Sequence, residues 1–471
     1  MACLIRNGRI VTATDDYVAD LLMEGETIKA IGRSLDPPLG TQVIDATGKL
    51  VFPGFIDPHV HIYLPFMGTY AKDNYDSASR AALVGGTTTL IEMCCPNRTE
   101  DPWQAFELWR SKAVGISACD FTFHMAVSRF DEHTEQQLRR IVDEGISSFK
   151  IFLAYKDFFG VNDSELYQTL RLAKELGVIV TAHCENETMV AELQKQLLSE
   201  GKTGPEWHEP SRPMQVEAEG VQHLMTFAEL TGAEVYIVHT SNRLAIQAAL
   251  DGRKRGVRVS IETVIPYLVL DDTYAKRPNF EGAKYVMSPP IREAGQQPLL
   301  WQALRNREIS TVATDHAPFD FHRQKEMGRD DFTKIPNGIP TVEDRVNLLY
   351  TYGVKRGRID LNTFVDAAST QAAKLFGLFP RKGTIAVGSD ADVVIYDPDY
   401  RGQISVKTQL MATDYSAFEG WSIEGRPSHV FVRGKLQVTD GKFVGELGYG
   451  QFLARKVRSG SQSIQKGNES L

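Results

Sequence analysis

The rhythm of hydrophobic and polar positions changes along the chain. The first fifty residues carry short apolar runs, CLIRNGRIVTA, ADLLMEGETIKAIG and TQVIDATGKLVFPG, punctuated by Asn-Gly, Glu-Gly and Thr-Gly. This is the texture of short strands joined by tight turns. It returns near the other end, in GTIAVGSDADVVIYDP and SHVFVRGKLQVTDGKFVG. From Phe52 to about residue 375, short apolar runs instead alternate with longer amphipathic segments such as DSELYQTLRLAKELG and NRLAIQAALDGRKRG. That alternation is the signature of parallel βαβ units.

Eight of the apolar runs read as strands: FPGFIDPHVH, TTTLIEM, DFTFHMAV, SSFKIFLA, VIVTAHC, EVYIVHT, VRVSIETV and ISTVATD. They recur about thirty residues apart with two longer gaps, which predicts a (β/α)8 TIM-like barrel of the α/β class. An open doubly wound sheet ranks lower, because no Gly-rich phosphate loop follows the first strand. The predicted barrel spans 53–375, inserted between the two parts, 1–52 and 376–445, of one β domain. Residues 446–471 are predicted to be a C-terminal tail, and the last segment, RSGSQSIQKGNESL, is polar enough to be mobile.

A barrel presents the C-terminal ends of its strands at one mouth, where barrel enzymes keep their chemistry. The first predicted strand ends in His59 and His61, the fifth in His183, the sixth in His239 and the eighth in Asp315. Four of the 11 histidines thus converge on one rim. The His-Val-His spacing puts His59 and His61 on one face of a strand, because side chains alternate with a period of two. Imidazole and carboxylate donors suit zinc, manganese, iron or cobalt. Zinc is the expected ion.

Lys150 lies inside the fourth run, between Phe149 and Ile151. If it faces the same mouth, its ammonium would be repelled by metal cations. A neutral lysine instead adds carbon dioxide to form a carbamate, whose two oxygens can bridge two metals. Lys150 is therefore a candidate N6-carboxylysine.

Composition narrows the partners. A formal net charge of -8 and the absence of any Lys/Arg block argue against nucleic acid or an anionic membrane as partner. A small molecule is the expected partner. Five irregularly spaced cysteines do not make a disulfide framework in 471 residues, which suits a reducing cytoplasm. No run of about eighteen apolar residues occurs, and the N-terminus lacks a signal-peptide pattern, so a soluble, unprocessed protein is expected.

The ordered set GFIDPHVHIYLPFMGT, GISSFKIFLAYKDFFG, VTAHCEN, GKTGPEWHEPSRP, IVHTS, MSPPIR, TDHAPF and IPNGIP resembles the hydantoinase and dihydropyrimidinase family of cyclic amidohydrolases, its bacterial D-hydantoinase branch most of all. The resemblance implies a β-sandwich built from both chain ends beside the barrel, and two divalent ions, usually zinc. It implies that His59, His61 and Asp315 hold one ion, that His183 and His239 hold the other, and that carboxylated Lys150 bridges them. Many relatives have Cys where this chain has Ala317, which is not a family ligand.

The resemblance further implies that Tyr155, Ser288 and Asn337 contact the reacting ring. On the residues alone, Tyr155 reads equally as a loop aromatic, Ser288 as the start of a Pro-Pro turn and Asn337 as a turn residue. Leu64, Phe66, Phe152 and Phe159 form an apolar set able to receive a ring substituent. The implied reaction opens a cyclic ureide, a 5-substituted hydantoin or a 5,6-dihydropyrimidine, to an N-carbamoyl amino acid, with Asp315 and Tyr155 catalytic. An allantoinase-like activity is the alternative among enzymes. A non-enzymatic scaffold of the family would lack metal ligands, yet all six positions are filled here. Family members commonly assemble as homotetramers or dimers.

Overall fold

In a computed structural model, which describes residues 2–457, the eight predicted runs form one parallel sheet in which each strand neighbours the next in chain order. They are β1 (Phe55–Val60), β2 (Thr87–Cys94), β3 (Asp120–Ala126), β4 (Ser148–Phe152), β5 (Ile179–His183), β6 (Val235–Ile237), β7 (Val259–Val264) and β8 (Thr311–Ala313). A parallel bridge between Val60 and His316 brings the two edges together, and the His61 N–H donates to the His316 carbonyl at 2.7 Å. The nearly closed sheet is a TIM barrel.

Local sequence explains the helices between strands. In the helix Asp163–Leu176, Asn162 and Glu165 close a capping box, and Gly177 ends it in the left-handed region at φ 70°. Leu166, Leu170 and Ala173 fall on its buried face at helical spacing. Asn242 caps Arg243–Lys254 in the same way, accepting from the Ala245 N–H.

Strands from both chain ends join in an additional nine-stranded sheet, where Leu50–Pro53 pairs antiparallel with Val393–Gln403. Ile5, Leu21 and Val51 share one apolar cluster with Val393, Ile395 and Phe431. The two ends therefore fold around a common core. A buried ionic network ties this sheet to the barrel: Lys382 Nζ donates to Asp120 at the start of β3 (2.6 Å) and to Asp392 (2.7 Å), and Arg433 also pairs with Asp120. Asp120, Asp390 and Asp392 converge closely, but Lys382 pairs with all three, Arg433 with Asp120 and Arg381 with Asp390.

The tail boundary expected at 446 falls too early. The Leu453 N–H donates to the Phe121 carbonyl at 2.8 Å, and the Gln451 N–H to Asp120 at 2.9 Å. Arg455 is buried, with Nη2 bonded to Ser148 Oγ (2.9 Å) and to the Phe123 carbonyl. These residues satisfy polar groups at the barrel floor, which a loose tail would leave unpaired. The segment RSGSQSIQKGNESL, expected to be mobile, lies outside the described residues. Among those described, no helix is long and apolar enough to cross a membrane.

Candidate active site

β1 carries His59 and leads directly into His61, whose rings sit 5.2 Å apart on one side of the strand, as a period of two requires. Lys150 points inward from β4, fully buried, and His183 ends β5. His239 and Asp315 were expected as the last residues of strands; instead they lie two residues past β6 and β8. The chain there turns out of the sheet through left-handed backbone, at φ 38° for His239 and 50° for Asp315. Tyr155 is a third such residue, at φ 61°. Non-glycine residues pay a steric cost in this region, which persists only where surrounding contacts fix it.

One pocket is lined by all thirteen of the candidate residues: His59, His61, Lys150, His183, His239 and Asp315 at its floor level of donors, Tyr155, Ser288 and Asn337 among its polar walls, and the apolar Leu64, Phe66, Phe152 and Phe159. Ala317 and Gly338 complete the lining. Asp315 Oδ1 lies 3.2 Å from His59 Nε2 and 3.3 Å from His61 Nε2. His183 Nδ1 faces His239 Nε2 at 2.9 Å, and the His59 and His239 rings are 5.3 Å apart.

Several of these groups are buried without a hydrogen-bond partner: His59 Nε2, His61 Nδ1, His239 Nδ1 and Lys150 Nζ. Orphaned buried donors and acceptors of this kind are rare and costly unless another species completes them. Burial disfavours the protonated form of three of the imidazoles, holding His61 down to about 4 and pushing His183 and His239 below the ordinary range. Burial also pushes Lys150 down to about 8 against the opposing charge of Asp315. Burial raises the Asp315 carboxyl, but the surrounding histidines outweigh it and hold the group well below the usual range. Imidazoles beside a carboxylate are a donor set suited to a divalent cation, and the ligand atoms of His59, His61 and Asp315 lie within 4.8 Å of one another. The residues fit a metal.

A second layer of groups, absent from the sequence reading, orients the first. Glu262 on β7 receives His59 Nδ1 (2.7 Å), the His239 N–H (2.8 Å) and the Tyr236 hydroxyl (2.7 Å). Pairing Nδ1 with a carboxylate leaves His59 Nε2 directed at the pocket. Glu185 does the same for His183, receiving its Nε2 at 2.8 Å, and Arg212 Nη1 pairs with Glu185 at 2.6 Å. The signal for Glu262 was available: like Lys150, it is a charged residue inside an apolar run, VRVSIETV. Glu185 carries no such mark, lying two residues past a histidine in a loop.

The remaining wall is built around Tyr155. Its N–H donates to Glu187 Oε2 at 2.5 Å, and its carbonyl accepts from the Phe158, Phe159 and Gly160 N–H groups at 2.8 to 2.9 Å. This anchoring holds the left-handed turn. Burial raises the phenol's pKa, so it remains a proton donor. Asn337 Nδ2 donates to Ser288 Oγ (2.9 Å) and to the Tyr155 hydroxyl (3.4 Å). Phe159 stacks on Phe152 and Phe66, with centroids 5.3 and 5.9 Å apart. Phe66 and Tyr155 also border a neighbouring recess of about 610 Å³, lined further by Met67, Tyr70, Phe158 and Glu187.

Residues 50–437 match the model of the Amidohydrolase family. The chain is 50% identical over 456 residues to a D-hydantoinase of Geobacillus stearothermophilus, covering 97% of each chain. It is 40% identical to a dihydropyrimidinase of Rattus norvegicus, covering 96% of this chain and 88% of that one. The solved structure of a D-hydantoinase (dihydropyrimidinase) from Thermus sp. superposes with a TM-score of 0.95 at 66% identity, over 96% of this chain and 99% of the other.

Proposed function

The chain belongs to the amidohydrolase family and is a cyclic-amide hydrolase; on that premise we propose how its residues open the ring of a 5-substituted hydantoin or a 5,6-dihydropyrimidine to give an N-carbamoyl amino acid. The observation that carries the reading is the convergence of four imidazoles, a carboxylate and a buried lysine without a hydrogen-bond partner in one pocket. An allantoin-like ureide is not favoured by an apolar substituent wall. A scaffold without catalysis is not favoured by a complete donor set.

In this proposal His59, His61 and Asp315 would hold one divalent ion and His183 and His239 a second. Lys150, carboxylated on Nζ, would serve as a ligand shared by both, which would account for an amine buried among imidazoles with no acceptor. Zinc is the first expectation, with manganese, cobalt and iron suited to the same donors. When bound, such ions acidify water and polarise a carbonyl oxygen.

The chain's own groups do the rest. The ring enters with its substituent against Leu64, Phe66, Phe152 and Phe159, which exclude bulk water. Main-chain groups of Ser288 and Asn337 hydrogen-bond the ring's amide system. Asp315 accepts a proton from the attacking water as its oxygen bonds to the ring carbonyl carbon. Tyr155 donates to the oxyanion that develops there. Asp315 then returns the proton to the ring nitrogen as the C–N bond breaks. We place the enzyme in the cytoplasm as a homotetramer or dimer, following the reducing-compartment chemistry of its cysteines and the family habit.

Lys150→Ala tests the bridging role. Loss of most bound metal and turnover is expected, with partial recovery when a short carboxylic acid and metal are supplied together. An alanine variant that keeps two tightly bound ions and normal turnover would remove Lys150 from the mechanism.

A further inference from the structure

The ring-facing wall consists of two stretches distant in sequence, residues 286–289 and 336–339, neither part of a helix or of a multi-residue strand. They touch through the Gly338 N–H, which donates to the Val286 carbonyl at 3.0 Å, and through Asn337 Nδ2 on Ser288 Oγ. Such irregular backbone has no ladder of bonds to fix its register.

Lys325 supplies the missing restraint. Its side chain is fully buried, and Nζ donates to the carbonyls of Val286 (2.9 Å), Pro336 (2.6 Å) and Gly338 (2.7 Å). Three acceptors match the three N–H bonds of an ammonium. Among the described residues no carboxylate pairs with it, so the carbonyl dipoles must carry a desolvation cost that a surface lysine never meets. The bonded carbonyls flank Asn337 on both sides and precede Ser288 by two residues.

The neighbouring carbonyls are also occupied. Met287 accepts from His208 Nε2 (2.8 Å), Pro289 from the Tyr267 hydroxyl (2.5 Å) and Ile339 from the Ala317 N–H (3.4 Å). The main-chain groups of Ser288 and Asn337 are engaged by no other described residue. The wall thus exposes two residues' amide groups between neighbours that are tied down.

We propose that Lys325 is a positioning residue, whose three hydrogen bonds clamp the two stretches so that the free amide groups of Ser288 and Asn337 match the spacing of a cyclic ureide. This rests on the ring-binding reading of those two residues. Lys325 touches neither substrate nor metal; it acts through the backbone it holds.

Lys325→Met and Lys325→Gln test this at equal metal content, with dihydrouracil and a 5-substituted hydantoin as probes. For Met, KM is expected to rise at least about ten-fold, with bound metal unchanged, because small displacements of positioning groups cost that much or more. Gln keeps an amide N–H donor and should recover part of the loss; if Met does not fold, Gln carries the test alone. Lower melting temperatures with wild-type KM and kcat in both variants would mean a structural role only, and would overturn the proposal. A wild type that turns over neither ring would sink the ring-binding reading itself, whereas an active wild type beside kinetically silent variants would sink only the role of Lys325.

Discussion

Glu262→Gln isolates the contribution of a charge that touches no substrate. In the wild type, Oε1 receives both His59 Nδ1 and the His239 N–H, while Oε2 receives the Tyr236 hydroxyl. An amide whose oxygen takes the Oε1 position keeps the first two bonds. Its NH2 then faces Tyr236, whose hydroxyl can turn to accept and donate to Thr311 Oγ1 instead. The variant should therefore fold. Alanine would be less informative, because stranding three buried donors costs roughly 3–9 kcal/mol, a large share of an ordinary domain's stability.

What glutamine removes is the negative charge behind His59, and with it the basicity of the proposed ligand. Losses at such outer partners run about 10–100-fold in metal affinity, or roughly 1.4–2.7 kcal/mol. The assay is metal retention by elemental analysis after dialysis against graded chelator. The Glu262→Gln midpoint should shift to lower chelator by that factor, with activity restored by added metal. A variant that retains metal at the wild-type midpoint would refute the orienting role of Glu262.

Three other perturbations separate the parts of the account. Tyr155→Phe should lower kcat about 100-fold or more with metal content intact, since only the oxyanion donor is lost; unchanged kcat would exclude the phenol from the chemistry. Phe159→Ala opens the stack with Phe66 and Phe152 and should change the ratio of bulky to small hydantoins hydrolysed, whereas an unchanged ratio would remove Phe159 from specificity. Asp344 is pushed up to about 7 by burial, against the hydrogen bond from Gln409. Between about pH 4 and 7 the unfolded chain has released a proton that the folded chain keeps, so stability falls as pH rises through that window. Asp344→Asn should flatten this slope in urea unfolding and add on the order of 4 kcal/mol at pH 8; parallel pH profiles would contradict it.

The barrel was legible because each of its strands is buried on both faces and so reads as a near-continuous apolar run. The six polar side chains that meet in the pocket were legible as polar interruptions at the ends or middle of those runs. Lys150 marked itself most plainly, since a lysine among Phe149, Ile151 and Phe152 needs a reason. Glu262 sent the same signal from β7 and went unread. Glu185, Arg212 and Lys325 lie in loops where charge is ordinary, and only their burial in three dimensions distinguishes them. The left-handed backbone at His239 and Asp315 was hidden too: His and Asp enter that region more often than most residues, but still at only a few per cent of positions. Arg455 illustrates the converse problem: a basic residue near a polar terminus resembles tail, until the barrel floor supplies carbonyls for it to bind.

The most direct test of the central claim is kcat/KM for 5-phenylhydantoin, dihydrouracil and allantoin, measured with one enzyme batch of known metal content. Ring opening to the N-carbamoyl product with a clear preference for the aryl hydantoin is the expected result, because the apolar wall of Leu64, Phe66, Phe152 and Phe159 meets the substituent. No turnover of any of the three by fully metallated enzyme would contradict cyclic-ureide hydrolysis at this site.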